Sequence, residues 1–499
     1  MGMLREFVRS YEMIFNDAND LKKRTLTGFF WSFIDGVSLH LIQFAIFILL
    51  ARFLLPEAFG LIGMLAIFME IAQSFVDSGF GQALIQKKSP SYTDECSIFF
   101  FNLVIGIISA CFLCMVAPHV AAFYGQPILV PVMRVLSLTQ IINAFGMIQL
   151  SILNKSINFK RQFKINIIAV IVSGIVGISM AFYGYGVWSL VGHSLTNTLI
   201  KNLLLWIANP WRPSMLFSLD ALAALYGFGS KLLLTGLINT IFQNIYLLVI
   251  GKFYSAVELG YYSSAKKIQG IPPQLLAITT NRVFFPVVSS IQDDPLKIKE
   301  LLSKILRVLA FINIPLMFGL IAIAKPLVIC AMTAKWIDAI EYIQLLCLVG
   351  LLLPLQMLNL NALMAIGRSD LILRLELIKK TLICISILLT YRWGVNALIY
   401  GQIILSFFGY FLNSYYVSRL IGYTLKEQIA DCAPYFAFGG IMAGLVYQLQ
   451  SFPFPNMIVL LLMQIVMGVM IFALLNIIFQ PRAYKDICSI IMDRTIRYF

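Results

Sequence analysis

With 499 residues, of which 60% are apolar and only 12% are charged, the chain cannot cover itself as a water-soluble protein, because an average soluble domain has about 25% charged residues. A lipid-facing surface needs no charge, so the composition indicates a membrane protein. The net charge of +14 does not point to nucleic acid as a partner, since the basic residues cluster in short loops beside apolar segments, a pattern typical of membrane topology.

Fourteen segments are predicted to span the membrane, because a bilayer core needs about 20 mainly apolar residues per helix. In chain order they are 28–51, 58–82, 97–117, 128–153, 165–183, 186–207, 226–250, 258–281, 305–325, 340–366, 376–391, 394–418, 432–450 and 456–479. The eighth is the least apolar, since Lys266, Lys267 and Pro272 interrupt it. Pro272, Pro315 and Pro354 predict kinks, because proline removes a helical hydrogen bond. The predicted fold class is an all-α polytopic membrane protein.

The charges of the loops predict the orientation of these spans. With the N-terminus inside, 28 of the 37 Lys and Arg residues fall on cytoplasmic segments and four within spans. The remaining five fall outside: Arg52, Lys252, Lys325, Lys335 and Arg392. Because cytoplasmic loops carry the excess of Lys and Arg, we expect both termini in the cytoplasm.

An internal repeat predicts the arrangement of the helices. Residues 51–60 match 251–260 in a basic residue, a Phe and a Gly, and Gly186-Val187 resembles Gly394-Val395. The repeat predicts two parallel six-helix lobes around a central cavity, plus two C-terminal helices. The predicted segments are a cytoplasmic N-terminal segment at 1–27, an N-lobe at 28–207, a cytoplasmic linker at 208–225, a C-lobe at 226–418, helices 13 and 14 at 432–479 and a cytoplasmic tail at 480–499.

Polar side chains inside the predicted spans are the candidate functional residues, because a charge at the bilayer centre costs at least ~2.5–3.5 kcal/mol. The candidates for lining a substrate cavity are Arg134, Lys266, Lys267, Gln43, Gln243 and Asn239. The candidates for ion coupling are Glu70, Asp35 and Asp77, since one carboxylate can bind either H+ or Na+. The alternative, that these groups pair between helices or reach the interface, stays open.

Five stretches carry further motifs: 50–60 (LARFLLPEAFG), 77–86 (DSGFGQALIQ), 184–191 (GYGVWSLV), 260–263 (GYYS) and 365–370 (AIGRSD). They resemble the multidrug/oligosaccharidyl-lipid/polysaccharide (MOP) superfamily, in particular its branch of Wzx-like O-antigen and colanic-acid flippases. The resemblance implies translocation of an undecaprenyl-diphosphate-linked oligosaccharide across a bacterial inner membrane by alternating access, with ion coupling. It also implies membrane lipids, a polysaccharide polymerase and chain-length machinery as partners.

Two other functions are weighed against this one. A multidrug/cation antiporter of the same superfamily would favour an acidic cavity, whereas Arg134, Lys266 and Lys267 predict a mixed or basic one. This charge would not exclude a flippase of peptidoglycan precursors. A polysaccharide polymerase or ligase would need a sizeable periplasmic loop, and the largest predicted one, 326–339, has 14 residues. We expect a secondary transporter rather than an enzyme, with no metal, catalytic residue or cofactor apart from a coupling H+ or Na+.

Overall fold

The structure is a computed structural model that describes residues 19–77, 79–87, 90–156, 158–290 and 294–486. Within these ranges the side chains of 19–35, 224–226, 228, 278–287 and 289–290 are not described. The described chain is α-helical and contains no β-strand.

Contacts divide the chain into two compact units, one formed by Ala18–Ser263 and one that contains Ser264–Phe499. The first unit holds α1 (Asn19–Phe53), α2 (Pro56–Asp77), α3 (Phe80–Gln86), α4 (Tyr92–Tyr124), α5 (Leu129–Lys155), α6 (Phe159–Phe182), α7 (Val187–Ala208) and α8 (Leu219–Phe253). Helix α9 (Ala256–Ser290) begins in the first unit and continues into the second. The second unit also holds α10 (Pro295–Met332), α11 (Ala339–Gly350), α12 (Leu353–Ala365), α13 (Ser369–Thr390), α14 (Val395–Ile421), α15 (Leu425–Gln448) and α16 (Met457–Phe479).

A helix lies at each of the fourteen predicted positions, and the prediction of an all-α membrane fold is confirmed. In the described residues, eleven helical segments are long and apolar enough to cross a membrane. Helices α7, α9 and α13 are not among them, so the count of fourteen spans stays a prediction.

The second predicted span is interrupted at Gly79. Helix α2 ends at Asp77 and α3 begins at Phe80, and Gly79 has a φ of 72°. Glycine adopts this left-handed conformation without the steric cost that a side chain imposes. A Cβ atom at Gly79 would also lie too close to the carbonyl oxygen of Gly229 on α8.

The tenth predicted span is interrupted at Leu351 and Leu352, directly before Pro354. Pro354 has no N–H group, so the Gly350 carbonyl four residues earlier loses its helical donor. The Asn313 amide replaces it: Nδ2 donates to the carbonyl oxygens of Gly350 at 3.0 Å and Leu351 at 2.9 Å. The helix is interrupted before Pro354, whereas α9 and α10 remain helical through Pro272 and Pro315, and the predicted kinks stay predictions.

Two further side chains, Ser406 and Gln356, form hydrogen bonds beside this interruption. The hydroxyl group of Ser406 on α14 donates to the carbonyl oxygen of Val349 at 3.1 Å. Gln356 Nε2 in turn donates to the Ser406 carbonyl at 3.0 Å. The interruption is therefore held by side chains from α10 and α14.

The boundary between the two compact units differs from the predicted linker at 208–225. It lies after Ser263, inside α9. The lobes defined by the sequence repeat stay a prediction.

Candidate functional site

A polar stripe runs along one face of α2. Glu70, Gln73, Ser74 and Asp77 are spaced i, i+3, i+4 and i+7, which places them on the same side of a helix. Glu70 is exposed and the other three are half-buried. This stripe contains two of the three carboxylates predicted to couple an ion.

Helix α8 supplies partners for the first half of the stripe. Asn244 is buried, with 6% of its surface exposed, and its Nδ2 donates to Glu70 Oε2 at 2.5 Å. The hydroxyl oxygens of Ser74 and Thr240 lie 3.3 Å apart. Since Thr240 and Asn244 are four residues apart, one face of α8 binds this stripe.

Helix α5 supplies partners for the second half. Asn143 Nδ2 donates to Gln73 Oε1 at 2.8 Å, and Gln73 Nε2 donates to Asp77 Oδ1 at 2.7 Å. Gln73 therefore accepts a hydrogen bond from Asn143 and donates one to the Asp77 carboxylate.

Both carboxylates of the stripe lie among amide and hydroxyl groups, and their role in ion coupling stays a prediction. Amide N–H donors stabilise an ionised carboxylate, and each carboxylate can instead take up a proton or help to coordinate Na+. Among the residues that the structure describes, no three His, Cys, Asp or Glu side chains are grouped to hold a metal ion.

The structure does not bring Arg134 to this stripe. Arg134 is exposed and shares a face of α5 with Leu138 and Phe145, which are also exposed. At about 100° per residue, Asn143 points to the opposite side of the helix. The assignment of Arg134 to a cavity stays a prediction.

The other cavity candidates lie on two units. Gln43, Asn239 and Gln243 belong to the first unit, and all three are exposed. Lys266 is half-buried and Lys267 is exposed, both in the second unit. Asp35 lies outside the described side chains. The cavity assignments of all these residues stay predictions.

Sequence reasoning missed the partners of the stripe. Asn244, Thr240 and Asn143 are uncharged, and the bilayer cost that singled out candidates is largest for charges. The four-residue spacing of Thr240 and Asn244 was the available signal, since it marks one polar face on an otherwise apolar helix.

The two copies of the sequence repeat touch each other through glycines. A Cβ atom on Gly60 of α2 would overlap the carbonyl oxygen of Ala256, and one on Gly260 of α9 would overlap the carbonyl oxygen of Pro56. Positions 56 and 60 correspond to 256 and 260 in the repeat. The contact is therefore reciprocal, as in a two-fold symmetric interface. We call these four residues the glycine seam.

The basic residue of the second repeat copy ties the end of α8 to α4. Lys252 Nζ donates to the carbonyl oxygen of Phe123 at 2.5 Å and lies 4.3 Å from the centre of the Phe123 ring. The second repeat match is also visible in the structure. Gly186 and Gly394 each precede a helix and have positive φ angles of 56° and 97°.

The motif at 365–370 forms a fixed turn after α12. Gly367 has a φ of 79°, and Arg368 binds Asp370 through two hydrogen bonds, Nε to Oδ1 at 2.9 Å and Nη2 to Oδ2 at 3.0 Å. The Arg368 guanidinium group holds the pKa of Asp370 at about 2. Asp370 is therefore ionised at neutral pH.

The sequence profile of a family described as "polysaccharide biosynthesis protein" matches residues 49–341. The chain belongs to this family.

Three curated relatives share about a quarter of their residues with the chain. The teichuronic acid biosynthesis protein TuaB of Bacillus subtilis (strain 168) is 26% identical, covering 70% of this chain and 73% of the relative. The lipopolysaccharide biosynthesis protein WzxC of Escherichia coli (strain K12) is 28% identical, covering 72% and 73%. The succinoglycan biosynthesis transport protein ExoT of Rhizobium meliloti (strain 1021) is 25% identical, covering 65% and 66%.

Two solved structures share the fold of this chain. The lipid II flippase MurJ in an inward closed conformation aligns with a TM-score of 0.74 at 17% identity, over 93% of this chain and 99% of that chain. An inward-facing MATE family transporter of the MOP superfamily aligns with a TM-score of 0.60 at 15% identity, over 78% and 98%. The predicted resemblance is confirmed, and the chain is a multi-pass membrane protein of a transporter fold.

Proposed function

We propose that this protein is a flippase that moves an undecaprenyl-diphosphate-linked oligosaccharide from the cytoplasmic to the periplasmic leaflet of a bacterial inner membrane. The family match over residues 49–341 carries the proposal. The relatives named for polysaccharide biosynthesis and transport, and a fold shared with a lipid II flippase, support it. The protein is a secondary transporter rather than an enzyme, and it serves surface polysaccharide synthesis.

Translocation proceeds by alternating access. In the proposed topology both termini are cytoplasmic, so the glycine seam lies at the periplasmic ends of α2 and α9. Backbones in direct contact there close the periplasmic side. The seam must separate before the oligosaccharide can leave, while the lipid tail stays in hydrocarbon.

Ion coupling uses the stripe on α2. Protonation of Glu70, or Na+ binding to it, weakens its carboxylate as an acceptor for Asn244 and so changes the contact between α2 and α8. Because only two residues separate α8 from α9, such a change can reach the glycine seam through this short connection. The coupling ion is H+ or Na+.

The anionic diphosphate of the substrate is bound by cations in the cavity. Lys266, Lys267 and Arg134 supply the charge, and Gln43, Gln243 and Asn239 supply hydrogen bonds to the glycan. Coulomb attraction is less screened in such a site than in bulk water. A polysaccharide polymerase and chain-length machinery receive the product.

The decisive experiment is deletion of the gene followed by analysis of the lipid-linked oligosaccharides. We expect one of them to accumulate on the cytoplasmic side and surface polysaccharide to be lost. Complementation with Glu70→Gln, Lys266→Ala or Arg134→Ala, at the protein level of the wild type, should export at most a tenth as much. Thr381→Val, on the exposed face of α13, is the control that should restore export.

Two results would contradict parts of this proposal. If the deletion causes drug hypersensitivity and no lipid-linked oligosaccharide accumulates, the protein is a multidrug antiporter rather than a flippase. Full export by both Lys266→Ala and Arg134→Ala would contradict the proposal of a cationic cavity. It would not contradict the proposal that the protein is a flippase.

A further inference from the structure

An apolar cleft of about 380 Å³ opens on the surface of the first unit. Its walls are Phe100, Phe101 and Val104 of α4, and Met215 and Phe217 of the segment that joins α7 to α8. All five lining residues are apolar. None of them belongs to the stripe on α2 or to the glycine seam.

The joining segment is held in place although it is not helical. Gln149 Nε2 donates to the carbonyl oxygen of Trp211 at 3.1 Å, and the Tyr92 hydroxyl donates to that of Arg212 at 2.5 Å. At the other end, the main-chain N–H of Ser218 donates to Ser97 Oγ at 2.9 Å. These bonds hold both ends of the segment against α4 and α5. The wall of the cleft that Met215 and Phe217 form is therefore fixed in position.

An aromatic cluster packs against two phenylalanines that line the cleft, Phe100 and Phe101. Phe99 is buried, and its ring centre lies 5.4 Å from that of Phe100 and 5.7 Å from that of Trp211. The ring centre of Phe101 lies 5.0 Å from that of Phe80. The phenylalanines of the cleft are therefore anchored by packing on buried rings.

The cleft opens onto a lipid-facing surface. Met215 is 93% exposed and Phe217 is 55% exposed. Ile108, Phe112 and Met115 continue the exposed apolar surface from Val104 along α4, which is long and apolar enough to span a membrane. Exposing such surface to water costs about 25 cal/mol per Å², which favours a position where the predicted linker at 208–225 meets the hydrocarbon.

The cleft lies within one leaflet. Phe100 and Val104 lie 3 and 7 residues inside the predicted span at 97–117, which is about 4 to 11 Å along the axis. Half of a bilayer core is about 15 Å thick. A chain in the cleft would lie in the leaflet on which α4 begins.

Arg212 supplies a positive charge beside the cleft. It is exposed, and its guanidinium group lies 5.4 Å from the centre of the Trp206 ring. Its hydrogen bonds to described residues both come from Nη1, to the carbonyl oxygens of Asn209 and Trp211. The Nε and Nη2 donors are therefore left for another acceptor, such as a phosphate. Asp220 is the nearby exposed acid on α8.

We propose that this cleft is a binding site for one acyl chain of an anionic membrane phospholipid, whose phosphate is bound by Arg212. The occupant is a bilayer lipid and not the transported substrate. The site is independent of the proposed flippase activity, because its residues are separate from the cavity and coupling candidates.

The test is titration of the purified full-length protein with phosphatidylglycerol, followed by native mass spectrometry. The double variant Met215→Gln/Phe217→Gln should bind the first lipid at least tenfold more weakly than the wild type. Phe112→Gln/Met115→Gln is the matched control on the same apolar surface, and it should bind as the wild type does. Arg212→Gln should abolish the preference for phosphatidylglycerol over phosphatidylcholine.

If Met215→Gln/Phe217→Gln binds phosphatidylglycerol as the wild type does, the proposed site is wrong. If Phe112→Gln/Met115→Gln loses as much binding, the lipid contacts the apolar surface in general and does not occupy a specific site. Displacement of phosphatidylglycerol by equimolar undecaprenyl phosphate would overturn the assignment of the occupant. Since all five substituted residues are exposed, their variants should keep the unfolding temperature of the wild type. Measurement of that temperature identifies a variant that fails to fold.

Discussion

Asn313 is a completely buried side chain whose amide group donates to two main-chain carbonyls at the interruption before Pro354. A buried carbonyl without a donor costs about 1–3 kcal/mol. In the hydrocarbon region water does not replace a missing donor. One side chain on α10 therefore stabilises the interruption between α11 and α12.

We predict that Asn313→Leu lowers the free energy of unfolding by about 2–4 kcal/mol, because two carbonyls lose a donor. Asn313→Asp should also destabilise the protein, since a carboxylate has no N–H to donate. The measurement is unfolding of the purified protein in detergent. Thr381→Val, which removes an exposed local hydrogen bond on α13, should change stability by less than about 0.5 kcal/mol.

At the scale of helices, Pro354 and Asn313 form one functional pair. The proline removes the N–H that would bind the Gly350 carbonyl, and the asparagine supplies another. This reasoning predicts that Pro354→Ala partly rescues Asn313→Leu, because alanine restores the missing N–H. In a double-mutant cycle of unfolding free energies the two changes should be coupled by at least 1 kcal/mol, within the range known for contacting residues. Additive effects would contradict the assignment.

The glycine seam makes a second prediction for helices. Gly60→Ala or Gly260→Ala places a methyl group against a carbonyl of the other helix, so each should separate α2 from α9 and reduce export at least fivefold. The double variant should be little worse than either single one, because both changes break the same contact.

Gly440→Ala on α15 is the matched control for the seam. No atom lies within 4 Å of a Cβ at that position, so the change should be neutral or stabilising by up to about 1 kcal/mol. Normal export by both seam variants would show that the seam need not stay closed.

The positions of the helices were predictable, but their interruptions and contacts were only partly so. Length and apolar composition located every helix, because bilayer thickness fixes both. Pro354 indicated one interruption in the sequence. Gly79 did not indicate the other, since glycine is common in membrane helices. The repeat equated Gly60 with Gly260 but did not show that they touch. The Glu70–Asn244 contact joins residues 174 positions apart, and the spacing of Thr240 and Asn244 indicates a polar face without showing which residues that face contacts.

At the scale of the whole molecule, the orientation of the chain depends on whether α7, α9 and α13 cross the membrane. We predict that they do, because the loop charges then separate by side. Cysteines placed at Tyr185 and Trp393 should react with an impermeant maleimide from the periplasm. Those at Ser369 and Lys426 should react only after permeabilisation. All four positions are exposed.

The labelling pattern also identifies a wrong span. If α7 or α9 did not cross, Ser369, Trp393 and Lys426 would all change sides while Tyr185 would not. If α13 did not cross, Trp393 and Lys426 would change sides and Ser369 would stay. The background for this measurement is a variant in which the eight native cysteines are replaced.

The reciprocity of the glycine seam has a consequence for the history of the chain. In an ancestor made of two identical six-helix subunits, one codon would have served both sides of the contact. After gene fusion, the small residue on each side is maintained by a different codon, although the backbone it accommodates belongs to the other half. Neither half could then diverge freely at this point, and a mutation in one copy would select for compensation in its duplicate.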